Sequence, residues 1–246
     1  MIRAMSADAI GDVLRQVPLF ARLPIAELQA AAQTARLLAK RKAARICEEG
    51  STADCCYVLT SGRLKVVLSG PGDVEFILAM LEPFAVIGEI ALLDNSVRSA
   101  GLVAVEDSRL ISIPRASFQA LRRNAQFEDQ LVAQVTSTLR RATEQLRAMY
   151  TFRTDDRLAW CLARIAAQRG QRRGDTIRLS PKPPQHELAD MTGCSRETVS
   201  RALARLKRKK WLSWDATTLS MRADVVERYY RSPHTESDVT EITRFV

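Results

Sequence analysis

The 246-residue chain has only two histidines, His186 and His234, and none in its first 185 residues. That scarcity leaves the front of the molecule without the imidazole ligands of most zinc and haem sites. Cysteine is also sparse. Cys47, Cys55, Cys56, Cys161 and Cys194 stand at spacings that suit neither zinc nor an iron–sulfur cluster, so no metal is expected. An odd number in a chain of this size gives no disulfide framework. Buried free thiols in a reducing cytoplasm are the expectation, with Cys55-Cys56 left open to redox chemistry. No run of about 18 uncharged apolar residues occurs, so no membrane span is expected. Met1 to Gly11 reads as too short and too polar for a signal peptide.

Acidic residues are outnumbered, 28 against 37 lysines and arginines, for a net charge of +9. The excess is uneven. Residues 151–246 hold 19 basic and 12 acidic residues, whereas residues 1–150 hold 18 and 16. A positive field confined to one half attracts phosphates and steers association with nucleic acid.

That half contains Thr192-Gly193-Cys194-Ser195-Arg196-Glu197-Thr198-Val199-Ser200-Arg201. With the short apolar helix around Leu188, Ala189 and Met191 ahead of it, this reads as a helix-turn-helix. Gly193 supplies the corner, since glycine takes positive φ without a Cβ clash. Ser195 fits an N-cap. Val199, Leu203 and Leu206 fall on one inward face, and Arg196, Glu197 and Arg201 lie off it near the helix start. There, an arginine can grip guanine through two parallel bonds and a carboxylate can accept from cytosine. The strip Arg201, Arg205, Lys207, Arg208, Lys209, Lys210 carries no acid and suits phosphates, where a merely solvated helix would mix signs.

Texture divides the rest. Residues 12–32 look helical. From about 37 to 113, short apolar runs at 55–60, 64–68, 76–81, 101–105 and 110–113 alternate with turn residues, as in an antiparallel roll or barrel. From about 116 to 150 there is neither proline nor glycine. Phe127, Leu131, Val135, Leu139, Ala142, Leu146 and Met149 recur there with coiled-coil spacing, which predicts dimerisation; the alternative is an amphipathic helix packed on its own domain. Thr154-Asp155-Asp156 reads as the cap of a further helix that ends near Gly170, and 168–174 as a basic loop. Residues 176–179 read as a small strand, 211–221 as a hairpin wing, and Ser232 onward as a loose tail.

In the middle of the strand-rich region stands Gly88-Glu89-Ile90-Ala91-Leu92-Leu93-Asp94-Asn95-Ser96-Val97-Arg98-Ser99. A carboxylate accepts from ribose hydroxyls, and an arginine fork matches phosphate. The competing reading is a loop with a surface Glu89–Arg98 ion pair, worth little.

These stretches resemble the CRP/FNR family of transcription regulators, similar to the cyclic-AMP receptor protein. The likeness runs over roughly 14–225. It rests on Gly50, Tyr57-Val58-Leu59-Thr60-Ser61-Gly62, Gly88-Glu89 with Arg98-Ser99, the long helix and Gly193 to Val199. The resemblance implies an α+β protein in four parts. These are a cyclic-nucleotide-binding β-roll (12–115), a dimerisation helix (116–150), a winged helix-turn-helix (151–231) and a loose tail (232–246). It implies a nucleotide site of Gly88, Glu89, Ile90, Arg98, Ser99 and Thr143, with Glu89 on the ribose 2′-hydroxyl, Arg98 and Ser99 on the cyclic phosphate, and Thr143 at the base. It implies a DNA surface of Gln185, Ser195, Arg196, Glu197, Thr198 and Arg201, and a dimer along Phe127, Leu131, Val135, Leu139, Ala142 and Leu146. The effector is then a cyclic nucleotide, cyclic AMP first and cyclic di-GMP second, with Arg140, Arg141 and Arg147 facing either solvent or a second phosphate. A ligand-independent regulator is the remaining option. A phosphodiesterase would need metal-ligating His/Asp clusters that the sequence lacks, so no enzyme is expected. The partners implied are two DNA half-sites, a second copy of the chain and RNA polymerase.

Overall fold

The computed structural model describes residues 6–73 and 75–230. It divides into two compact units after Thr143. The expected loose tail, with His234, lies outside the described residues.

The first unit opens with α1 (Ala7–Arg15) and α2 (Ile25–Thr34). The single helical stretch expected over 12–32 is broken at 16–24. Pro18 and Pro24 lack the N–H a helix interior needs and push the residue before each toward extended backbone; Pro24 becomes the N-cap of α2. Next come β1 (Arg36–Lys40), β2 (Arg45–Cys47), β3 (Cys55–Ser61), β4 (Leu64–Ser69), β5 (Glu75–Leu81) and β6 (Val86–Ile87). A short helix α3 (Ile90–Leu93), β7 (Gly101–Ala104) and β8 (Ser108–Pro114) complete the roll. The strands form two four-stranded antiparallel sheets, ordered β1-β8-β3-β6 and β2-β7-β4-β5. Strands β1, β2 and β6 were not expected. Each has at most three apolar residues, and β1 is held by pairing with β8, Arg36 opposite Ser112.

Strand β3 is buried on both faces. Cys55, Tyr57 and Leu59 face a core with Leu64, Leu102 and Leu110. Cys56 and Val58 face a core with Leu14, Phe20, Phe118 and Phe127. The two-residue period of a strand sends neighbours to opposite sides, so Cys55 and Cys56 are free thiols pointing apart rather than a redox pair. Burial also pushes the Cys56 thiol far above its usual range.

The proline-free run from 116 is two helices, α4 (Arg115–Leu121) and α5 (Ala125–Thr151), rather than one. Asn124 separates them, its Oδ1 accepting from the N–H groups of Gln126 and Phe127 at 3.0 and 3.3 Å. Phe127 then inserts between Phe20 and Phe118, ring centroids 5.6 and 5.8 Å away. Phe127 and Leu131 are therefore core residues of the roll, with Val135 packed at its edge. They are not available to a second copy, which corrects the front of the expected seam. Val132, Leu139, Leu146, Met149 and Tyr150 of α5 are exposed, the first three at seven-residue steps, with Ala142 exposed between them.

The second unit contains α6 (Thr154–Arg169), β9 (Gln171–Arg173), β10 (Thr176–Leu179), α7 (Gln185–Thr192), α8 (Arg196–Arg208), β11 (Leu212–Trp214), β12 (Leu219–Arg222) and α9 (Ala223–Tyr230). The strands make one antiparallel sheet ordered β11-β12-β10-β9. Leu158, Leu162, Leu188, Val199, Leu203, Leu206, Leu212 and Met221 share its core. The β11–β12 hairpin turns on Asp215, whose Oδ1 accepts from the N–H groups of Thr217 and Thr218 at 2.9 and 2.8 Å. Two expectations are corrected here. Arg153, not the Thr154-Asp155-Asp156 triplet, stands at the N-cap of α6, without a side-chain cap bond. The basic stretch 168–174 is the last turn of α6 followed by strand β9.

Candidate functional site

The first site is built where β6 ends. Gly88 has φ +83°, a conformation that favours glycine, and a Cβ there would lie 2.1 Å from Arg98 Nη1, so a side chain at this position would push the guanidinium out of its place. Arg98 Nη1 donates to the Gly88 carbonyl at 3.0 Å, and Nη2 donates to the Cys55 carbonyl at 2.6 Å. The guanidinium also stands 5.3 Å from the centroid of the Tyr57 ring. Its backbone is strapped down as well: Arg98 N–H donates to Ser51 O, and Gly50 N–H donates to Arg98 O, both at 2.8 Å. Arg98 is 4% exposed. Its Nε is buried without a hydrogen-bond partner among the described residues.

Glu89 immediately precedes α3 and is 5% exposed. Gln134 Nε2 of α5 donates to its Oε1 at 3.0 Å. Burial holds the Glu89 carboxyl above its usual range, against the pull of its own backbone N–H, Gln134, Arg141 and Arg98. Glu89 and Arg98 do not pair with each other among the described residues; each has its own partners. The exposed ion pair weighed above is thus not formed. A buried cation whose Nε has no partner among the described residues and a buried carboxylate thus each stand without the other in this loop.

Helix α4 holds this loop from behind. Arg115 donates to Asn95 Oδ1 at 2.6 Å and to the Ala53 carbonyl, and Gln119 donates to Leu92 O at 2.9 Å. Ile90 begins α3, and Ser99 stands exposed next to Arg98. Thr143 is exposed, and its hydroxyl donates to Leu139 O of its own helix at 3.0 Å. It makes no hydrogen bond to the Gly88–Ser99 loop among the described residues. The loop thus brings Gly88, Glu89 and Arg98 together. Tyr57, Arg115, Gln119 and Gln134 join them with no signal in local spacing.

The second site is in the other unit. Gly193 ends α7 with φ +64°, and Cys194 N–H donates back to Ala189 O at 3.1 Å, closing the turn. Ser195 caps α8, accepting from Thr198 N–H at 3.2 Å. Val199, Ala202, Leu203 and Leu206 are buried, while Arg196, Glu197 and Arg201 stand in solvent. Thr198 is half-buried, its Oγ1 3.0 Å from Ser195 Oγ and 3.3 Å from Arg201 Nη2. Bonds from its own N–H and Ser195 hold the Glu197 carboxyl below its usual range, so it is an acceptor at neutral pH. Gln185 is exposed in the first turn of α7.

The basic strip is not uniformly free. Arg205 grips Asp155 of α6 through Nε and Nη2, at 2.7–3.0 Å. Lys209 lies 3.8 Å from the same carboxylate and over the Trp211 ring, and Lys207 lies over Trp214. Arg205 is therefore a clamp between the two helices, which corrects its assignment to phosphate. Arg157 of α6 reaches both Met149 O at 3.1 Å and Cys194 Sγ at 3.4 Å. Among the described residues, no group of three or more histidine, cysteine or carboxylate side chains is placed to hold a metal ion.

Comparison with known proteins gives a consistent result. Residues 39–125 match the family model of the cyclic nucleotide-binding domain, and residues 156–222 match that of the Crp-like helix-turn-helix domain. A relative from Thermus thermophilus named cyclic AMP receptor protein is 34% identical over 156 residues, 63% of this chain and 69% of that protein. A CRP-like cAMP-activated global transcriptional regulator of Mycobacterium tuberculosis is 27% identical over 165 residues, 67% of this chain and 74% of the relative. Among solved structures, a CooA variant from Carboxydothermus hydrogenoformans aligns with a TM-score of 0.69 at 23% identity, covering 80% of this chain and 88% of that one. The c-di-GMP responsive regulator CLP of Xanthomonas campestris aligns with a TM-score of 0.66 at 18% identity, covering 81% and 99%. At those identities the two structures speak for the fold alone.

Proposed function

Because the chain belongs to the CRP/FNR family of cyclic-nucleotide-binding transcription regulators, we propose that it is a homodimer whose grip on specific DNA is set by a cyclic nucleotide, cyclic AMP in the first place. One observation carries the reading: Glu89 and Arg98 are both buried at the Gly88 turn and do not pair with each other among the described residues. The residues fit a cyclic nucleotide chemically. Arg98 has two of its nitrogens committed to backbone carbonyls, and its Nε donor is left for an anion. A cyclic phosphate supplies both the acceptor and the opposite charge that a buried guanidinium lacks. Ser99 adds a hydroxyl beside it, Glu89 accepts from the ribose 2′-hydroxyl, and Gly88 and Ile90 frame the loop. Thr143 donates to Leu139 O and so meets a base as an acceptor. An acceptor there suits an exocyclic amino group, which adenine and guanine both carry. The second reading, cyclic di-GMP, is supported by Arg141, whose charge is felt at Glu89 and which is a partner for a second phosphate.

On DNA, Arg196, Glu197 and Arg201 read base edges in the major groove, while Gln185, Ser195 and Thr198 fix the helix-turn-helix on the backbone. Two copies joined through Leu139, Ala142, Leu146 and Met149 read two half-sites about 34 Å apart. RNA polymerase is the proposed further partner, and the cytoplasm the proposed setting. Nucleotide binding shifts the balance between two arrangements of the paired reading helices; a difference of roughly 1–3 kcal/mol gives 5–150-fold control. A thermal-shift screen against cyclic AMP, cyclic GMP and cyclic di-GMP tests the effector directly. Cyclic AMP is expected to raise the melting temperature most; no shift with any of the three would reject the reading.

A further inference from the structure

The face of α5 that continues beyond Phe127 and Leu131 changes character. The first two turns bury apolar rings and methyls in the roll. Then come Gln134, Thr138 and Arg141, at i, i+4 and i+7 on one face. Arg141 Nη2 donates to Thr138 Oγ1 at 2.9 Å, its charge acts on Glu89, and Gln134 donates to Glu89 Oε1 at 3.0 Å. The core contacts of Phe127 and Leu131 already dock the helix. The amide of Gln134 is therefore not needed to hold α5 on the roll; its hydrogen bond serves the buried carboxylate.

That carboxylate is the group to which the reading above assigns the ribose 2′-hydroxyl, and the present inference rests on that assignment. A donor arriving from the nucleotide meets a buried oxygen that already has a donor. We propose that Gln134 and the ribose 2′-hydroxyl compete for Glu89, so that Gln134 sets the affinity for ribonucleotides. Gln134 is then a positioning residue that reports occupancy to α5. When the hydroxyl takes the carboxylate, the amide is released, and α5 loses its one direct hydrogen bond to Glu89 while keeping its apolar anchor. A nucleotide without the 2′-hydroxyl leaves the contact undisturbed.

The test is calorimetry of the full-length protein with cyclic AMP and 2′-deoxy cyclic AMP, for the wild type, Gln134→Leu and Gln134→Asn. Leucine keeps the volume and removes the donor; asparagine keeps the amide but is one methylene too short to reach. In both variants, cyclic AMP is expected to bind about tenfold tighter, since its hydroxyl no longer displaces a bond to a charged group. The deoxy form is expected to bind as it does to the wild type, so the ribo-to-deoxy ratio widens. A merely structural glutamine would instead weaken both ligands on substitution, and that result overturns the proposal. An unchanged ratio in variants that still prefer the ribonucleotide means that Gln134 shares Glu89 rather than competing for it. It overturns the proposal and leaves the Glu89 assignment standing. Equal binding of the two ligands by the variants, where no amide competes for Glu89, or binding of neither ligand, removes the Glu89 assignment itself.

Discussion

Glu89 and Arg98 are buried to within a few per cent, whereas Arg196, Glu197 and Arg201 stand in solvent. Both groups are short stretches of charge introduced by a positive-φ glycine, Gly88 in one unit and Gly193 in the other. They differ in what holds them. Arg98 is fixed by two backbone carbonyls, a tyrosine face and a strap from Gly50 and Ser51. The reading-helix charges are fixed only by the helix that carries them. A buried, pre-set charge is costly to leave unmatched and therefore discriminates sharply among small ligands. Exposed charges on a rigid helix are weakly held and well hydrated, which suits a long polyanion sampled at many positions. On the proposed reading the same residue type serves two jobs, and burial decides which.

Salt separates the two most widely. DNA affinity is expected to fall steeply, by about 0.9 log units per phosphate contact for each tenfold rise in salt. Nucleotide affinity is expected to change far less over the same range. Parallel losses in filter binding and calorimetry would erase the distinction. Next in size is the interface that pairs the reading helices. Leu139 is 66% exposed, and Leu139→Asp would face its own symmetry mate across the proposed seam, at a cost of several kcal/mol for apposed, desolvated carboxylates, roughly. Light scattering should report a monomer; an unchanged mass would place the dimer contact elsewhere. Arg98→Ala follows, since a charge-assisted bond contributes about 1.5–3 kcal/mol, or roughly 10–150-fold in nucleotide affinity. Undiminished affinity by calorimetry would remove Arg98 from the pocket. Arg196→Ala should cost about 1–3 kcal/mol on a specific duplex and relax one base position. Equal losses on all sequences would make it a phosphate contact, closer in kind to the rest of the basic strip.

The smallest expected effect concerns the clamp behind the reading helix. Arg205, and to a lesser degree Lys209, holds the Asp155 carboxyl below its usual range. A depressed carboxyl contributes stability above its unfolded value near 3.9 and loses it as pH falls through the folded value. Asp155→Asn should therefore lower the melting temperature at neutral pH by on the order of a degree or two. The gap from wild type should close below about pH 4. A gap that persisted in acid would mean the asparagine acts through packing instead.

What was legible in the sequence was local. Gly193, Ser195 and the Val199–Leu203–Leu206 spacing state a turn, a cap and a buried face within one short stretch, and the structure has all three. The five strands marked by short apolar runs between turn residues were also readable. What was not legible depends on partners far away in the chain. The seven-residue spacing on α5 does not distinguish Phe127 and Leu131, taken up by Phe20 and Phe118, from Leu139 and Leu146, left in solvent. Arg205 reads as one more cation of a basic strip because Asp155 is 50 residues upstream. Gln134 carries no pattern at all, and its meaning comes from Glu89, 45 positions earlier. The two cysteines of β3 mislead in the opposite direction: neighbours in sequence, they are separated by the sheet itself.

A nucleotide held at Arg98 is expected to be felt at Arg196. Fluorescence anisotropy on a duplex selected from a random pool, with and without saturating cyclic AMP, measures this for the wild type and Arg98→Ala. The expected result is a shift in DNA affinity of roughly 5–150-fold for the wild type, lost in the variant while its nucleotide-free affinity is kept. Identical DNA affinity with and without cyclic AMP, cyclic GMP and cyclic di-GMP would contradict it.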